Sequence, residues 1–194
     1  MEGGMISTND EEIYHILLSL RAHGWTRNLP KKNKLTGTKS ANKFDESFNF
    51  VLPGYNLRPT EFSGAIGREQ LKKLPKIVKG RLDNGKKFKD IFGSHPEFMV
   101  QKEIGTSSWF GFSIIIREGS KLRRKALIKM LEDEGIEYRP IVAGNFSAKK
   151  VMKYLDYEVY GQLENADYLD KNGLFIGNHH YSLDDLFNRL KIIL

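Results

Sequence analysis

The sequence has 194 residues and no cysteine. Disulfides, cysteine-ligated zinc and thiol nucleophiles are therefore excluded as sources of stability or chemistry. The absence agrees with a reducing compartment, and a cytoplasmic location is the expectation. Long apolar runs are missing too, so no membrane-spanning helix and no membrane partner is expected. Met1-Glu2-Gly3-Gly4 has neither the basic nor the apolar region of a secretory leader. Acidic residues are in deficit, with 24 Asp and Glu against 31 Lys and Arg, a formal net charge of +7. There is no P-loop and no dinucleotide fingerprint. Gly144-Asn145 and Gly177-Asn178 are turns that lack the spacing of either. A Gly-x-Ser-x-Gly nucleophile elbow is also absent.

What is present suffices for a core. Hydrophobic residues make up 40% and charged residues 28%, which excludes a disordered or low-complexity chain. A compact chain of this length buries roughly 70% of its unfolded surface. The positive charge is concentrated. Residues 21–90 hold 17 Lys and Arg against 6 Asp and Glu, a net of +11, while the remainder carries −4. Such a segment attracts phosphate on a nucleotide, a cofactor or a nucleic acid. The plainer reading is a solvated lysine-rich face.

Periodicity predicts a short strand at Met5–Thr8. A helix follows over about residues 10–23, capped by Asn9 or Asp10, with Ile13, Ile16, Leu17 and Leu20 on one face. Lys31–Ser47 is basic and aperiodic and reads as a long irregular excursion. Phe48–Leu52 reads as a short strand. Thr60 and Glu61 open a helix that Pro75 should break or kink near Leu74, with a second helix over 75–92. After Gly93, strands are predicted at Phe98–Gln101, Trp109–Arg117, Ile136–Val142 and Leu174–Gly177. Ile114-Ile115-Ile116 should be buried on both faces. Helices are predicted at Lys121–Glu134, Leu163–Asn172 and Ser182–Ile193. Strand and helix alternate here, so the second part reads as a compact α/β or α+β unit, with a boundary near Gly93–Glu97.

Three loops combine a tight turn with a cation or amide and an aromatic: His23–Asn28, Pro53–Glu61 and Arg139–Phe146. Arginine offers a planar fork to carboxylate or phosphate, and asparagine two neutral donors. The plainer alternative is that their polar groups cap helices. His179-His180 invites a metal reading, but adjacent strand residues point to opposite faces. A polar pocket wall or a capping pair is the better expectation, and no metal site is expected.

Glu2-Gly3-Gly4-Met5, Arg21-Ala22-His23-Gly24, Gly54-Tyr55-Asn56-Leu57-Arg58, and Ala65-Ile66-Gly67 with Gln70-Leu71 and Leu74 occur in order. Together they resemble the DegT/DnrJ/EryC1/StrS aminotransferase family, whose members build unusual sugars on nucleotide carriers with pyridoxal phosphate (PLP). The longer strings Arg21–Pro30, Val142–Phe146 and Gly177–Tyr181 resemble its sugar 3-dehydratase branch. The resemblance implies an α/β architecture of fold type I, seen here as its C-terminal half. Residues 1–95 would be the end of the large PLP-binding domain and 96–194 the small C-terminal α/β domain. The family's active-site residue, Lys in the aminotransferases and His in the 3-dehydratases, would lie upstream of Met1. No catalytic residue is therefore expected in this chain.

By the same resemblance, Asn56 and Arg27 are the candidate cofactor-binding residues, reaching across a homodimer interface. Asn56 would serve the cofactor phosphate and Arg27 a carboxylate. Asn145, His179 and His180 are candidate substrate-binding residues where the small domain closes over the sugar. The implied cofactors are PLP and pyridoxamine 5′-phosphate. The implied partners are glutamate, a nucleotide-linked 4-keto-6-deoxy sugar and a second subunit. A nucleotide-sugar aminotransferase of the same family is the alternative. A free-standing basic module that binds through residues 21–90 is an alternative of another class. Trp25, Tyr55 and Trp109 are not interleaved with the basic run as a base-stacking platform requires, so nucleic acid is not the expected partner.

Overall fold

A computed structural model describes residues 3–194. The opening Met1-Glu2 of the Glu-Gly-Gly motif lies outside the described residues. The chain divides into two compact units, one ending at Lys72 and one running from Lys73 to Leu194. This division precedes the expected boundary at Gly93–Glu97. The last turns of the helix that crosses it carry Phe88 and Phe92, which belong to the core of the second unit.

In the first unit, α1 spans Glu11–Leu20. Asp10 caps it, accepting from the backbone N–H groups of Glu12 (2.8 Å) and Ile13 (3.0 Å), and so satisfies donors that a helix start leaves free. Its buried residues are His15 and Ser19. Ile13, from the predicted apolar face, is exposed, and Ile16, Leu17 and Leu20 are only half-buried. Met5–Thr8 has no strand pairing among the described residues. A strand needs a neighbouring ladder, and none is offered there.

Lys31–Ser47 is more regular than expected. It holds an antiparallel pair, β1 (Lys32–Asn33) and β2 (Gly37–Thr38), and a short helix α2 (Lys43–Ser47). The order comes from side chains bonding backbone, which periodicity does not report. Asn33 Oδ1 accepts from the N–H groups of Leu35 (3.0 Å) and Thr36 (2.8 Å), and Asn42 caps α2. The strand expected at Phe48–Leu52 is reduced to a single bridge between Trp25 and Phe50.

The expected break at Pro75 does not occur. α3 is one helix, Glu61–Phe92. Proline removes one N–H from the ladder and frees the carbonyl four residues back. Leu71 and Pro75 are both exposed, so water can take that carbonyl.

The second unit is a four-stranded antiparallel sheet of order β3-β4-β6-β5, where β3 is Phe98–Val100, β4 Gly111–Ile116, β5 Tyr138–Arg139 and β6 Gly173–Gly177. Its helices are α4 (Arg124–Asp133), α5 (Glu164–Asn172) and α6 (Asp184–Ile193), with the C-terminal turns of α3. Phe112, Ile114 and Ile116 of β4 and Leu174 and Ile176 of β6 alternate along their strands. They meet Phe88 and Phe92 of α3, Leu127 and Leu131 of α4, and Phe187 and Leu190 of α6. Phe88 stacks on Phe112 with ring centroids 4.4 Å apart. Ile114, Ile115 and Ile116 are all buried, as β-branched residues in a covered strand should be.

Candidate functional site

In the first unit, His23–Asn28 is threaded between two other segments. On one side, the N–H of His23 donates to the Tyr55 carbonyl (3.0 Å) and that of Leu57 to the Arg21 carbonyl (2.9 Å). On the other, Thr26 N–H donates to the Asn49 carbonyl and Val51 N–H to the Gly24 carbonyl. Two glycines make this fit possible. Gly24 has φ +80, and a Cβ there would fall 1.7 Å from the Leu52 carbonyl oxygen. A Cβ on Gly54 would fall 2.3 Å from the Gly24 nitrogen. His23 itself has φ 61, a conformation rare for residues with a side chain.

This weave presents Arg27, Arg58 and Asn56 around Trp25. The Arg27 guanidinium lies 4.2 Å from the Trp25 ring centroid and 5.3 Å from that of Phe48, within cation–π range. One of its nitrogens donates to the Ser47 carbonyl (2.8 Å). The Arg58 guanidinium lies 5.9 Å from the Trp25 ring centroid, and its Nε donates to Asn56 Oδ1 (3.2 Å). That bond engages the Asn56 oxygen, and the two Nδ2 hydrogens have no partner among the described residues. Trp25 Nε1 is buried with no partner among the described residues, a costly state for an N–H. Beneath this group, the Thr26 hydroxyl donates to the Glu46 carboxylate. That bond, with the Ser40 backbone N–H behind it, holds the Glu46 carboxyl below the usual glutamate value.

In the second unit, the His179–Tyr181 turn hangs on a network of side chains far apart in sequence. Buried Asn84 donates from Nδ2 to the carbonyls of His179 (3.0 Å) and Tyr181 (2.7 Å). Buried Asn178 donates from Nδ2 to the carbonyls of Arg81 (3.1 Å) and Trp109 (3.0 Å). Arg81 donates to the carbonyls of Ser108 (3.0 Å), Trp109 (2.6 Å) and Asn178 (3.4 Å). A Cβ on Gly80 would lie 2.1 Å from the His180 carbonyl oxygen, so only glycine lets α3 come this close. The two histidines are exposed, with their Nδ1 atoms 3.2 Å apart, and His179 stacks on Tyr181 at 4.0 Å.

The third loop is strained. Val142 has φ 51 while 88% exposed, an outlier for a β-branched residue. Gly144, with φ +66, sits against Asp170. Asn145 is buried and occupied. Its Nδ2 donates to Asp167 (2.7 Å), and its Oδ1 accepts from the N–H and hydroxyl of Ser147. It caps the 3-10 turn Phe146–Ala148. No hydrogen bond among the described residues joins Asn145 to His179 or His180. Arg27 and Asn56 are thus brought to one aromatic centre and His179 and His180 to one turn, while the hydrogen bonds of Asn145 go to Asp167 and Ser147. Sequence reasoning placed Arg58 in a motif without a role and missed Arg81, Asn84 and Asn178.

The model of the DegT/DnrJ/EryC1/StrS aminotransferase family matches residues 1–186. The chain belongs to this family. Its similarity to one branch is high. It is 60% identical over 195 residues to a GDP-4-keto-6-deoxy-D-mannose 3-dehydratase from Escherichia coli O55:H7, spanning 100% of this chain and 50% of that protein. It is 56% identical to the Yersinia pseudotuberculosis enzyme of the same name, over 98% of this chain and 50% of that protein. The chain therefore spans about half the length of the curated relatives it matches, and it corresponds to their C-terminal half. The crystal structure of GDP-4-keto-6-deoxymannose-3-dehydratase with a trapped PLP-glutamate geminal diamine superposes with a TM-score of 0.89 over 96% of this chain and 49% of that one, at 60% identity. Helicobacter pylori PseC, an aminotransferase, shares the fold at TM-score 0.68 and 20% identity.

The arrangement in the first unit fits the anionic end of PLP. Two free amide hydrogens on Asn56 and a guanidinium beside them suit a phosphate. The orphaned Trp25 N–H marks the same centre as one that lacks an acceptor.

Proposed function

We propose that this chain is the C-terminal half of a PLP- and pyridoxamine-phosphate-dependent nucleotide-sugar 3-dehydratase of the GDP-4-keto-6-deoxymannose type, serving deoxysugar and O-antigen biosynthesis in the cytoplasm. The observation that carries it is the Asn56–Arg58–Trp25–Arg27 centre, considered with the 60% identity to such an enzyme over the whole chain. Asn56 Nδ2 binds the cofactor phosphate, and Arg58 fixes the amide in the required orientation. Arg27, seated against Trp25 and Phe48, takes the carboxylate of the glutamate amino donor. Both act across a homodimer interface on the partner's cofactor. The His179–Tyr181 turn closes over the nucleotide-linked 4-keto-6-deoxy sugar and excludes water. Asn145 shapes the neighbouring loop through its cap. Bound in this site, the cofactor in its pyridoxamine form would give up a proton from its own carbon and so supply the electrons that expel the C3 hydroxyl of the sugar. The group that moves the proton belongs to the other half, as does the His-or-Lys choice between dehydratase and aminotransferase.

The test joins the complementary half of the Escherichia coli O55:H7 relative to this chain. It follows GDP-4-keto-6-deoxymannose, glutamate and PLP by mass spectrometry. A 3-deoxy product is expected, and its rate should collapse in Asn56→Ala at low PLP and recover at high PLP. Because the joined half brings its own active-site residue, an amino sugar as the product would count against a 3-dehydratase role for this half. A folded, dimeric fusion that binds PLP and converts neither way contradicts the proposal.

A further inference from the structure

The end of β4 remote from the His179 turn carries an arrangement that the cofactor and sugar loops do not use. The chain leaves the sheet at Ile116, turns through Arg117–Ser120 and enters α4. A cleft of about 350 Å³ opens there, lined in part by Arg117, Glu118, Arg123, Arg124, Tyr168 and Asn172. Its three guanidiniums are anchored by main-chain carbonyls. Arg117 Nε donates to the Phe98 carbonyl (3.1 Å), Arg123 Nη1 to that of Ser120 (2.6 Å), and Arg124 Nη1 to those of Asp170 and Gly173. Among the described residues none of the three is in an ion pair; every ion pair present uses a lysine.

Anchoring through one nitrogen restricts each fork and leaves further N–H groups of the same guanidinium unused. Three like charges on one cleft repel one another unless an anion is shared between them, and Glu118 is the one acid in the cleft wall. The wall is itself fixed. Tyr168 donates its hydroxyl to the Ile116 carbonyl (2.6 Å), and Asn172 donates to the Tyr168 carbonyl (3.1 Å). Gly111 pairs with Gly177 at the other end of the strand. Five residues of antiparallel strand therefore separate the cleft from the His179 turn by roughly 17 Å.

We propose that this cleft binds a phosphomonoester, with the phosphate shared by the Arg117, Arg123 and Arg124 forks and the body of the ligand lying against Tyr168. Planar forks match phosphate oxygens in pairs, and the volume suits a small metabolite. The assignment does not depend on the cofactor reading of the first unit.

The test titrates the 194-residue chain with inorganic phosphate, and separately with ribose 5-phosphate, at constant ionic strength set by sodium chloride. Arginine Nε–H resonances report the binding. Saturable shifts at Arg117, Arg123 and Arg124 are expected, with ribose 5-phosphate binding more tightly than phosphate. Arg123→Ala should weaken both at least about tenfold, the loss expected for one charge-assisted contact. Arg123→Lys should fall between, since it keeps the charge and loses the fork. Arg189→Ala, which removes an arginine bonded to the Glu134 carbonyl instead, should change nothing. Arg123 is exposed, and an otherwise unshifted spectrum certifies its variants as folded. Shifts that grow without saturating, or a folded Arg123→Ala that binds as the parent does, would overturn the assignment. Tighter binding of inorganic phosphate than of ribose 5-phosphate would overturn the phosphomonoester.

Discussion

Removing the Asn84 carboxamide should destabilise the second unit well beyond an average substitution. Asn84 is 2% exposed. Its Nδ2 group supplies the carbonyls of His179 and Tyr181 at 3.0 and 2.7 Å and reaches Asn178 Oδ1 at 3.4 Å. In Asn84→Ala the two carbonyls lose their donor, and Asn178 loses the neighbour that orients it. An unsatisfied buried polar group costs about 1–3 kcal/mol. Both carbonyls are only part-buried, so each falls toward the low end, and about 2–4 kcal/mol is the expected sum. Urea unfolding followed through Trp109 fluorescence is the assay, in a Trp25→Phe background because the chain's other tryptophan belongs to the first unit. Asn84→Asp should lose a similar amount, because it keeps the oxygen and loses the donor hydrogens. A loss under about 0.5 kcal/mol, the range of ordinary surface changes, would refute the claim that this side chain holds the turn.

Four other outcomes follow from the same structure. Phe88→Ala removes a fully buried ring stacked on Phe112, and about 3–5 kcal/mol should be lost in the same assay. Val142→Gly should stabilise by about 1 kcal/mol or slightly less, because glycine relieves the positive φ at little packing cost; a destabilisation shows that no strain is stored there. Glu46, Glu97 and Glu103 are held below the ordinary glutamate value of 4.5, chiefly by the Thr26 hydroxyl, the Ser120 hydroxyl and the Ser107 backbone N–H respectively. Their folded values lie below their unfolded ones, so their stabilisation is complete above about pH 4.5 and is lost as pH falls through the folded values. Stability measured down to acid pH should therefore fall less in Glu97→Gln than in the parent. In a restored full-length enzyme, Asn56→Ala mixed with a variant lacking the upstream base should recover part of the activity, and proven subunit exchange without recovery argues against action in trans.

Much of the second unit was legible from local signals. Gly135 with φ +62 follows the end of α4 and Ile114–Ile116 is buried as its branching implies; in the first unit, Asp10 caps α1 as its position suggests. The misses share a cause. The β1–β2 pair rests on the Asn33 side chain, and the continuity of α3 rests on solvent at Leu71, neither of which leaves a periodic trace. For the site, Arg27 and Asn56 could be carried over from motifs. Arg58 lay in the same motif and could have been found from its two-residue spacing to Asn56. Asn84 acts on Tyr181 from 97 residues away, and no local pattern encodes a contact at that separation. Asn145, a conspicuous amide in a motif, is engaged with Asp167 and in capping Ser147, contacts that the motif alone does not announce.

The central claim is that this chain supplies the phosphate and carboxylate donors of a PLP site but not the group that moves protons. It is tested most directly by incubating the 194-residue chain with PLP, glutamate and GDP-4-keto-6-deoxymannose, then reducing with borohydride and analysing product and protein by mass spectrometry. No 3-deoxy sugar, no amino sugar and no single lysine carrying the reduced cofactor is expected. Turnover together with stoichiometric labelling of one lysine would contradict it.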